Sequence, residues 1–407
     1  MKTVAIVSEY NPFHRGHKYQ LEQIKEKFGS DTCIVSVMSG NYVQRGDVAI
    51  LDKFSRARIA VEEGVSLVLE IPFPYSMQSA ELFASSAIRI ISRAVKADAI
   101  SFGCECNDAS LLRKVSENLM SDEFSNLLSE NMSDKSTKNL GFPQIYELTY
   151  KTLYNDENAA RILKEPNNIL ALEYIKAIIR EKSDIDIHVL ERTGAMHDEE
   201  FSPENYFASA SAIRTLFLKN DAKTALSLLP SASQKICMEA HEIGILPTNI
   251  TRLSNAILAF LRINSPEDLK KTFESEGGIA HRLHKFSMQA KDINELITLV
   301  STKRYTTARI RRALLNLFFG ITSSDVKNLP AYTQVLAMDK KGCEKLREMK
   351  GISEIEILTK PADYVFLSET ARRQAEISNT ADAVYSLAKP SPMSGDEFLR
   401  TSPFCKK

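Results

Sequence analysis

Two histidines flank a glycine in the heptad NPFHRGH, residues 11–17, which directly follows the first apolar run of the chain. Pro12 cannot continue a central strand, and Gly16 leaves the backbone open where a helical pattern begins. At such a helix N-terminus, the imidazoles of His14 and His17 can donate hydrogen bonds to phosphate oxygens and stabilise charge during attack at an α-phosphate. The heptad therefore favours nucleotidyl transfer, while a metal site and a turn without function remain alternatives at this point.

A second candidate motif is the run SASAIR, residues 209–214, which begins a helical pattern far downstream. Its hydroxyls and guanidinium can reach phosphate oxygens from a helix N-terminus, although a capping serine followed by an exposed arginine explains the run equally well. A metal site is disfavoured because no cluster of carboxylates or cysteines supplies further ligands. Together the two motifs are similar to the signatures of the nucleotidyltransferase superfamily, the adenylyl-transferring relatives of class I tRNA synthetases. SASAIR resembles its S-S-T-x-I-R motif with alanine at the fourth place.

Alternating strand and helix patterns predict the element that positions these motifs. Five brief, nearly continuous apolar runs are typical of strands covered on both faces, and they lie at residues 3–8, 32–38, 67–71, 99–102 and 185–190. Helical patterns lie between them at residues 17–27, 53–63, 79–94 and 168–181. We therefore expect an α/β fold with a doubly wound, Rossmann-like parallel sheet, whose ligands bind beyond the carboxyl ends of the strands.

The second half of the chain has a different pattern of apolar residues. Apolar residues repeat at helical spacing in residues 253–263, 293–300 and 308–319, whereas residues 331–338 and 353–358 return to short strand-like runs. We expect a mainly helical C-terminal domain with a small α/β appendage. The predicted domains are a catalytic domain at residues 1–225, a helical domain at residues 226–328 and a small α/β segment at residues 329–407.

Composition narrows the class of protein. The 52 basic and 52 acidic residues cancel, so the total charge predicts neither a DNA-binding nor a membrane-surface protein, although it can hide a local basic face. No apolar run reaches the roughly 20 residues of a membrane-spanning helix. Six cysteines are scattered without disulfide spacing, and the opening MKTVAIVSEY lacks the apolar core of a signal peptide. We expect a cytoplasmic protein without a membrane or DNA partner.

Further motifs resemble the bacterial tRNA(Met) cytidine acetate ligase family. The resemblance is carried by VSEYNPFHRGH, MSGNYVQRGD, DKFSRAR, ELFASSA, SFGCE, PNNILALEYIKA, ERTGAMHD and YTTARIRRALL, which together extend over at least the first 315 residues. It implies an enzyme that activates acetate with ATP as acetyl-adenylate, releases pyrophosphate, and acetylates N4 of the wobble cytidine, position 34, of elongator tRNA(Met). The product is N4-acetylcytidine. Mg²⁺ is then expected to be held mainly through the ATP phosphates.

Two alternatives compete with this function. A small-molecule adenylyltransferase of coenzyme or dinucleotide biosynthesis would need little beyond the first domain, which would leave residues 226–407 without a role. A non-catalytic, nucleotide-sensing RNA-binding protein would be favoured if either His14 or His17 were missing, but both are present.

The resemblance also assigns the nucleotide site. The expected catalytic residues are His14 and His17. The expected ATP-binding residues, with the second motif included, are Val7, Ser8, Glu9, Tyr10, Asn11, Pro12, Phe13, His14, Arg15, Gly16, His17, Lys18, Tyr19, Gln20, Gly103, Asn167, Asn168, Arg192, Thr193, Ser209, Ser211 and Arg214. Gly103 ends the fourth strand, where a side chain would block a base or ribose. Asn167 and Asn168 are adjacent, so either can be the contacting amide.

The acetate and tRNA sites are expected from position and charge. The candidates for acetate follow the second strand and are Ser39, Gly40, Asn41 and Gln44, with Arg45 in the same loop. Glu70 can bind Mg²⁺ or orient a base, but an inward carboxylate satisfied by its neighbours is equally consistent with the sequence.

The candidates for tRNA, in a stretch without acidic residues, are Lys303, Arg304, Tyr305, Arg309, Arg311 and Arg312. Their cations can meet phosphates and the tyrosine can stack on a base. A solvated surface helix is the alternative, but the lack of acidic partners in the stretch favours RNA.

Overall fold

The computed structural model describes residues 1–134, 136–137, 140–191, 208–302 and 305–407. The strands of these residues are β1 (Thr3–Ser8), β2 (Cys33–Ser39), β3 (Tyr42–Val43), β4 (Asp47–Val48), β5 (Leu67–Ile71), β6 (Ala99–Cys104), β7 (Asp186–Glu191), β8 (Tyr332–Met338), β9 (Glu356–Leu358) and β10 (Phe404–Cys405). The helices are α1 (Arg15–Phe28), α2 (Lys53–Glu62), α3 (Ala80–Ile90), α4 (Ala109–Leu119), α5 (Asp122–Ser133), α6 (Phe142–Tyr154), α7 (Glu157–Ile162), α8 (Pro166–Glu181), α9 (Ala210–Leu218), α10 (Ala222–Ser227), α11 (Ser231–Glu242), α12 (Ser254–Ile263), α13 (Pro266–Leu269), α14 (Ile279–Ser287), α15 (Ile293–Val300), α16 (Thr307–Phe318), α17 (Ser323–Lys327), α18 (Lys340–Ile352), α19 (Glu369–Tyr385) and α20 (Glu397–Arg400).

A single sheet of eight strands forms the centre of the fold. Along it the strands follow the order β10, β8, β5, β2, β1, β6 and β7, and β9 pairs with β8. The five strands from β5 to β7 run parallel, as the doubly wound arrangement predicted. Strand β8 runs antiparallel to β5, so the complete sheet is mixed.

The strands of the C-terminal segment extend this sheet. β8 pairs with β5, for example at Leu69 and Val335, and then carries β9 and β10 as parallel neighbours. Without β8, the last parallel strand would expose a row of unpaired N–H and C=O groups. The predicted α/β appendage is therefore attached through backbone pairing with the parallel part of the sheet. The domain limits near residues 225 and 328 stay a prediction.

Both faces of the parallel strands are buried, which explains their nearly continuous apolar sequence. In β1, Val4 and Ile6 belong to one hydrophobic cluster and Ala5 to another on the opposite face. Successive side chains of a strand point to opposite faces, so helices must cover the sheet on both sides. The helices of residues 210–327 build much of the first cluster, and α3, α4 and α8 contribute to the second.

Residues 105–165 contain α4, α5, α6 and α7, none of which was predicted from the sequence. The sequence does carry helix-start signals there: the Asp108 side chain accepts from the N–H groups of Ser110 and Leu111, and that of Ser121 accepts from Phe124. The hairpin of β3 and β4 was also missed, because its strands have only two residues each. None of the described helices combines the length and apolarity needed to cross a bilayer.

Candidate active site

The turn after β1 fixes both histidines through backbone hydrogen bonds. Nδ1 of His14 accepts from the N–H of Gly16 at 3.1 Å, and Nδ1 of His17 accepts from the N–H of His14 at 3.1 Å. An imidazole nitrogen that accepts a hydrogen bond is unprotonated, so each neutral ring carries its proton on Nε2. The rings stack with their centroids 3.8 Å apart. The N-terminus of α1 therefore presents two neighbouring Nε2–H donors.

Gly16 is required by the packing of this turn. A Cβ atom at residue 16 would lie 2.9 Å from Cε1 of His14, closer than side-chain atoms approach in proteins. The glycine thus allows His14 to cap the helix with its ring instead of a hydroxyl or carboxylate. The requirement explains the spacing of the heptad, because the two histidines and the glycine form one interlocked cap.

A cleft with a volume of about 480 Å³ opens beside this turn, at the carboxyl ends of β1, β6 and β7. Many of the predicted ATP-binding residues line it together: Val7, Ser8, Glu9, Tyr10, Asn11, His14, Gly16, His17, Tyr19, Gln20, Gly103, Asn167, Ser209, Ser211 and Arg214. Pro12, Phe13, Arg15, Lys18 and Asn168 belong to the same segments but do not line the cleft. Arg192 and Thr193 lie outside the described residues.

The basic residues beside the histidines are directed elsewhere. Nη2 of Arg15 donates to the carbonyl of Ser227 at 3.0 Å, and Nζ of Lys18 lies 3.1 Å from Oε2 of Glu63. Both contacts attach α1 to neighbouring helices. Arg15 and Lys18, both expected among the ATP-binding residues, therefore contact neighbouring helices and do not line the cleft.

One side of the cleft is lined mainly by apolar residues of β6 and α8. Phe102 and Tyr174 contact each other there, with ring centroids 5.6 Å apart, and Gly103 lines the same region. Nδ2 of Asn167 donates to Oε1 of Glu105 at 2.6 Å at the cleft wall. Asn168 is buried, and its Oδ1 accepts from the N–H of Cys106 at 2.8 Å. Of the two adjacent amides, Asn167 is the one that faces the cleft.

The second motif meets the first across the cleft. The Ser209 side chain caps α9 by accepting from the N–H of Ala212 at 3.2 Å. Nη1 of Arg214 donates to the carbonyl of Asn11 at 2.8 Å, within the heptad. Burial lowers the pKa of Arg214, with Glu9 and Asp47 acting in the opposite direction. The N-termini of α1 and α9 thus face one space, where the positive ends of both helix dipoles favour the binding of an anion.

The hairpin of β3 and β4 forms the opposite side of the cleft. The N–H of Gln44 donates to Oε1 of Glu9 at 2.8 Å, which connects the hairpin to the turn after β1. Nη1 of Arg311, on α16, lies 2.6 Å from Oδ2 of Asp47. Gln44, Asp47 and Arg311 all line the cleft, as does Arg45. An arginine predicted to meet tRNA is therefore also part of the wall of this cleft.

The comparisons with known proteins agree with this geometry. A family model described as HIGH Nucleotidyl Transferase matches residues 1–397. The tRNA(Met) cytidine acetate ligase of Caldanaerobacter subterraneus subsp. tengcongensis is 36% identical over 392 residues, which cover 95% of this chain and 96% of that protein. This chain belongs to the tRNA(Met) cytidine acetate ligase family. A family member from Clostridium perfringens strain ATCC 13124 is 31% identical over 412 residues, 98% of each chain.

Solved structures of the ligase family extend the likeness to the whole fold. Thermotoga maritima TmcAL bound with alpha-thio ATP superposes with a TM-score of 0.90 at 28% identity, covering 100% of this chain and 99% of that one. The apo form of the same protein gives a TM-score of 0.92 at 29% identity. The predicted family and the predicted nucleotidyltransferase-type α/β fold are both confirmed.

Three of the ligase's expected acetate residues do not line the cleft. Ser39 and Asn41 are buried, and Nδ2 of Asn41 donates to Oδ1 of Asp382 at 2.8 Å. Gly40 packs against Glu70, because a Cβ atom there would lie 2.3 Å from Oε1 of that residue. The end of β2 is occupied by these internal contacts, so Gln44 alone of the four acetate candidates faces the cleft.

Glu70 takes part in a buried charge cluster behind the cleft. Nζ of Lys53 lies 2.7 Å from Oε2 of Glu70 and 2.7 Å from Oδ2 of Asp382, and it donates to Gln334 at 3.2 Å. Burial raises the pKa of Glu70 to about 7, Lys53 acts in the opposite direction, and Asp382 adds to the rise. Of the two interpretations of Glu70, this geometry favours the inward carboxylate that is satisfied by its neighbours.

Two of the predicted tRNA residues on α16, Arg311 and Arg312, have acidic partners, whereas the guanidinium of Arg309 lies 5.5 Å from the ring centroid of Tyr305. Arg312 forms two bonds of 3.1 Å to the carboxylate of Glu274, in addition to the contact between Arg311 and Asp47. The ring of Tyr305 is 6% exposed, and its hydroxyl donates to the carbonyl of Gly277. The expected stacking of this ring on a base is therefore not available in the structure. Lys303 and Arg304 lie outside the described residues.

Arg56 lies within the family motif DKFSRAR, but no role was predicted for it from the sequence. The residue is fully buried on α2, and its guanidinium donates to carbonyls at the ends of β1 and β2. A basic residue on the apolar face of a predicted helix was the available signal, because a buried cation needs dedicated partners. Within the described part of the chain, no three His, Cys, Asp or Glu side chains are grouped to hold a metal ion.

Proposed function

We propose that this chain activates acetate with ATP as acetyl-adenylate and transfers the acetyl group to N4 of the wobble cytidine of elongator tRNA(Met). The observation that carries the proposal is the pair of Nε2–H donors at the N-terminus of α1, which face the N-terminus of α9 across one cleft. Donors fixed in this way stabilise charge that develops on phosphate oxygens without reorganising during the reaction. The names of the family members supply the acetate and the tRNA.

In the first step, a carboxylate oxygen of acetate forms a bond to the α-phosphorus of ATP, and the bond to the bridging oxygen breaks. Pyrophosphate leaves. His14 and His17 donate to the phosphate oxygens whose charge increases during this attack. In the second step, N4 of the cytidine forms a bond to the acetyl carbon, the bond to the adenylate oxygen breaks, and N4 loses one proton as AMP leaves.

The two sides of the cleft suggest how ATP lies in it. We place the adenine against Phe102 and Tyr174, with Gly103 leaving room for the base and Asn167 available to its polar edge. The phosphates then lie between the histidines and the start of α9, where Arg214 adds positive charge. Gln44 lies on the hairpin side, which leaves that side to acetate.

Mg²⁺ is proposed to accompany ATP and to be held mainly through its phosphates. The carboxylates that line the cleft already have partners: Glu9 accepts from Gln44, Asp47 pairs with Arg311, and Glu191 accepts from Asn107 at 3.4 Å. Each of these contacts reduces what the carboxylate can offer a hard cation, which prefers several oxygen ligands.

For tRNA, we propose that the helices of residues 226–328 form the binding domain and that the substrate approaches the hairpin side of the cleft. The candidate contacts are Arg309, Arg311, Arg312, Lys303 and Arg304. We propose a cytoplasmic location for the enzyme, in keeping with its tRNA and ATP substrates.

The test is acetate-dependent release of pyrophosphate from ATP, followed by nucleoside analysis of methionine elongator tRNA incubated with the protein. We expect pyrophosphate release that saturates with acetate, and N4-acetylcytidine only when tRNA is present. Pyrophosphate release driven by nicotinamide mononucleotide or phosphopantetheine, without acetylated cytidine, would contradict the proposal and favour a coenzyme adenylyltransferase. ATP binding without turnover in any mixture would favour a nucleotide-sensing RNA-binding protein.

A further inference from the structure

Tyr10 has an unusual backbone conformation beside the catalytic histidines. Its φ of 46° lies in the left-handed region, which residues other than glycine rarely adopt. Its ring is buried and meets the ring of His17 edge-on, with centroids 4.9 Å apart and an interplanar angle of 77°. This contact fixes one side of the His17 ring. A strained residue therefore supports a catalytic one, and the surrounding structure must hold the strain.

Arginines hold the peptide group directly before Tyr10 and the peptide group that follows Asn11. Nη1 of Arg56 donates to the carbonyl of Glu9 at 2.5 Å, and Nη1 of Arg214 donates to the carbonyl of Asn11 at 2.8 Å. The two guanidiniums come from opposite parts of the chain, one from α2 and the other from α9. Arg56 thus restrains the peptide group that enters Tyr10, and Arg214 restrains the turn one residue further on.

Arg56 also connects the turn to other segments. Its Nε donates to the carbonyl of Leu51 at 2.8 Å, its Nη1 to that of Ser39 at 3.1 Å, and its Nη2 to that of Gly40. Four carbonyl oxygens from three segments therefore converge on one guanidinium that is 0% exposed. Without a cation between them, these oxygens would repel one another, and the ends of β1 and β2 would separate.

We propose that Arg56 is a positioning residue for adenylyl transfer, which acts by holding Tyr10 in its left-handed conformation and thereby orienting His17 towards the α-phosphate. The inference rests on the proposed function. Arg56 does not line the cleft, so its effect on the reaction passes through the backbone of the turn. The planar fork of arginine is required, since an ammonium group cannot span carbonyls in three separate segments.

The test compares Arg56→Lys with Arg58→Lys on the same helix. The Arg58 guanidinium lies 5.4 Å from the ring centroid of Phe404, at the outer strand β10, so it serves as the matched control. For Arg56→Lys we expect a loss of roughly 100-fold in kcat for acetate-dependent pyrophosphate release, as small misplacements of catalytic groups produce. The dissociation constant of ATP should stay within about threefold. Arg58→Lys should retain the wild-type kcat.

A structural readout separates positioning from general destabilisation. The edge-on Tyr10 ring shifts the NMR signals of the His17 ring, and we expect Arg56→Lys to change these signals in the absence of any substrate. If Arg56→Lys does not fold, Tyr10→Gly tests the same link, because it removes the ring and tolerates the left-handed backbone. We expect it to reproduce the loss of kcat.

Three outcomes overturn the inference. One is a folded Arg56→Lys protein with wild-type kcat. Another is an equal fall of kcat and melting temperature in Arg56→Lys and Arg58→Lys, and the third is a Tyr10→Gly protein with wild-type kcat. Failure of the proposed function is distinguishable from all three, because the wild-type protein would then release no pyrophosphate with acetate, whatever the state of the His17 signals.

Discussion

The turn after β1 and the basic start of α16 both suggest contact with phosphates, but their side chains are held in different ways. In the turn, His14 and His17 bond to backbone groups two and three residues away. In α16, Arg311 pairs with Asp47 and Arg312 with Glu274, which are 264 and 38 residues distant in the sequence. The first arrangement is local and the second depends on the tertiary fold.

This difference explains why one sequence pattern was more informative than the other. A cap made by neighbouring residues depends on their spacing, so NPFHRGH contains most of its own geometry. A stretch of basic residues without acidic neighbours suggests free charge, but the fold can bring carboxylates from anywhere. A count of basic residues within a short stretch of sequence therefore overestimates the number of positive charges that are available to bind a nucleic acid.

The largest effect is expected from the local arrangement. His17→Ala removes one of the two Nε2–H donors, and we expect acetate-dependent pyrophosphate release to fall by about 100-fold to 1,000-fold. The loss of Nδ1 leaves the N–H of His14 without its acceptor, which costs about 1 kcal/mol of stability and leaves the protein folded. Single-turnover pyrophosphate release and a circular dichroism melt measure the two effects.

His281→Ala is the control for this change, because His281 is an exposed histidine on α14. It should release pyrophosphate at the wild-type rate. Equal activity of His17→Ala and His281→Ala in folded proteins would mean that the turn has no catalytic role. The locally held histidines would then be no more important for the reaction than the arginines of α16.

Substitutions of the adjacent arginines of α16 should have different effects, one on ATP kinetics and the other on stability. Arg311→Ala removes the contact that holds the hairpin at the cleft, so we expect kcat/KM for ATP to fall by roughly tenfold, as for the loss of a charge-assisted hydrogen bond. Arg312→Ala leaves the half-buried carboxylate of Glu274 unpaired, so we expect a loss of about 2 kcal/mol in the free energy of unfolding. Urea titration and steady-state kinetics of both variants are the measurements.

This expectation gives each of the two arginines a separate role, in ATP kinetics or in stability, in addition to the proposed contact with tRNA. If both variants weakened only the transfer to tRNA, with ATP kinetics and stability unchanged, the carboxylate contacts would be incidental. The charges of the basic stretch would then be available to tRNA, as the sequence alone suggested.

The same distinction sets how much could be predicted from the sequence. The five parallel strands and helices α1, α2 and α8 were predicted because burial on both faces and helical periodicity are written in consecutive residues. The two motifs supplied the two helix N-termini of the cleft, and the family resemblance supplied further lining residues such as Gly103 and Asn167. The attachment of β8 to β5 was not predicted, because strand pairing across the chain leaves no local pattern.

The acetate candidates show the limit of this reasoning at the site. Ser39 and Asn41 were chosen because they follow a parallel strand, where ligands bind. The sequence gives no indication that Arg56 binds the carbonyl of Ser39, or that Lys53 and Asp382 engage Asn41. Buried cations on α2 therefore occupy the space that the strand end was expected to offer to acetate.

A smaller effect, on the pH dependence of stability, is expected from the buried charge cluster of Lys53, Glu70 and Asp382. Burial raises the pKa of Glu70 from 4.5 to about 7, with Lys53 opposing the rise. Because the folded pKa lies above the unfolded one, the stability contributed by the neutral carboxyl is complete below pH 4.5 and is lost as the pH rises through about 7. We expect Glu70→Gln to remove this loss, which urea unfolding at several pH values measures.

Glu117→Gln is the control, because Glu117 is an exposed residue on α4. Among the described residues, its one ion pair is with Arg113, at 3.4 Å. Its unfolding free energy should follow the wild-type pH dependence. Parallel pH profiles for Glu70→Gln and the wild type would show that the cluster binds no additional proton on folding, and that its two carboxylates share Lys53 as full charges.

The smallest effect is expected at Tyr305, where the two explanations of the basic stretch differ most directly. Tyr305→Phe removes the hydroxyl that donates to Gly277, so we expect a loss of about 1 kcal/mol in the free energy of unfolding. The ring is buried at 6% exposure, so Tyr305→Leu should leave the KM for tRNA unchanged in the folded protein. An increase in that KM for Tyr305→Leu, with Tyr305→Phe unaffected, would mean that the ring leaves its site to stack on a base. The fold-dependent region would then rearrange during the reaction, while the locally held histidines remain in place.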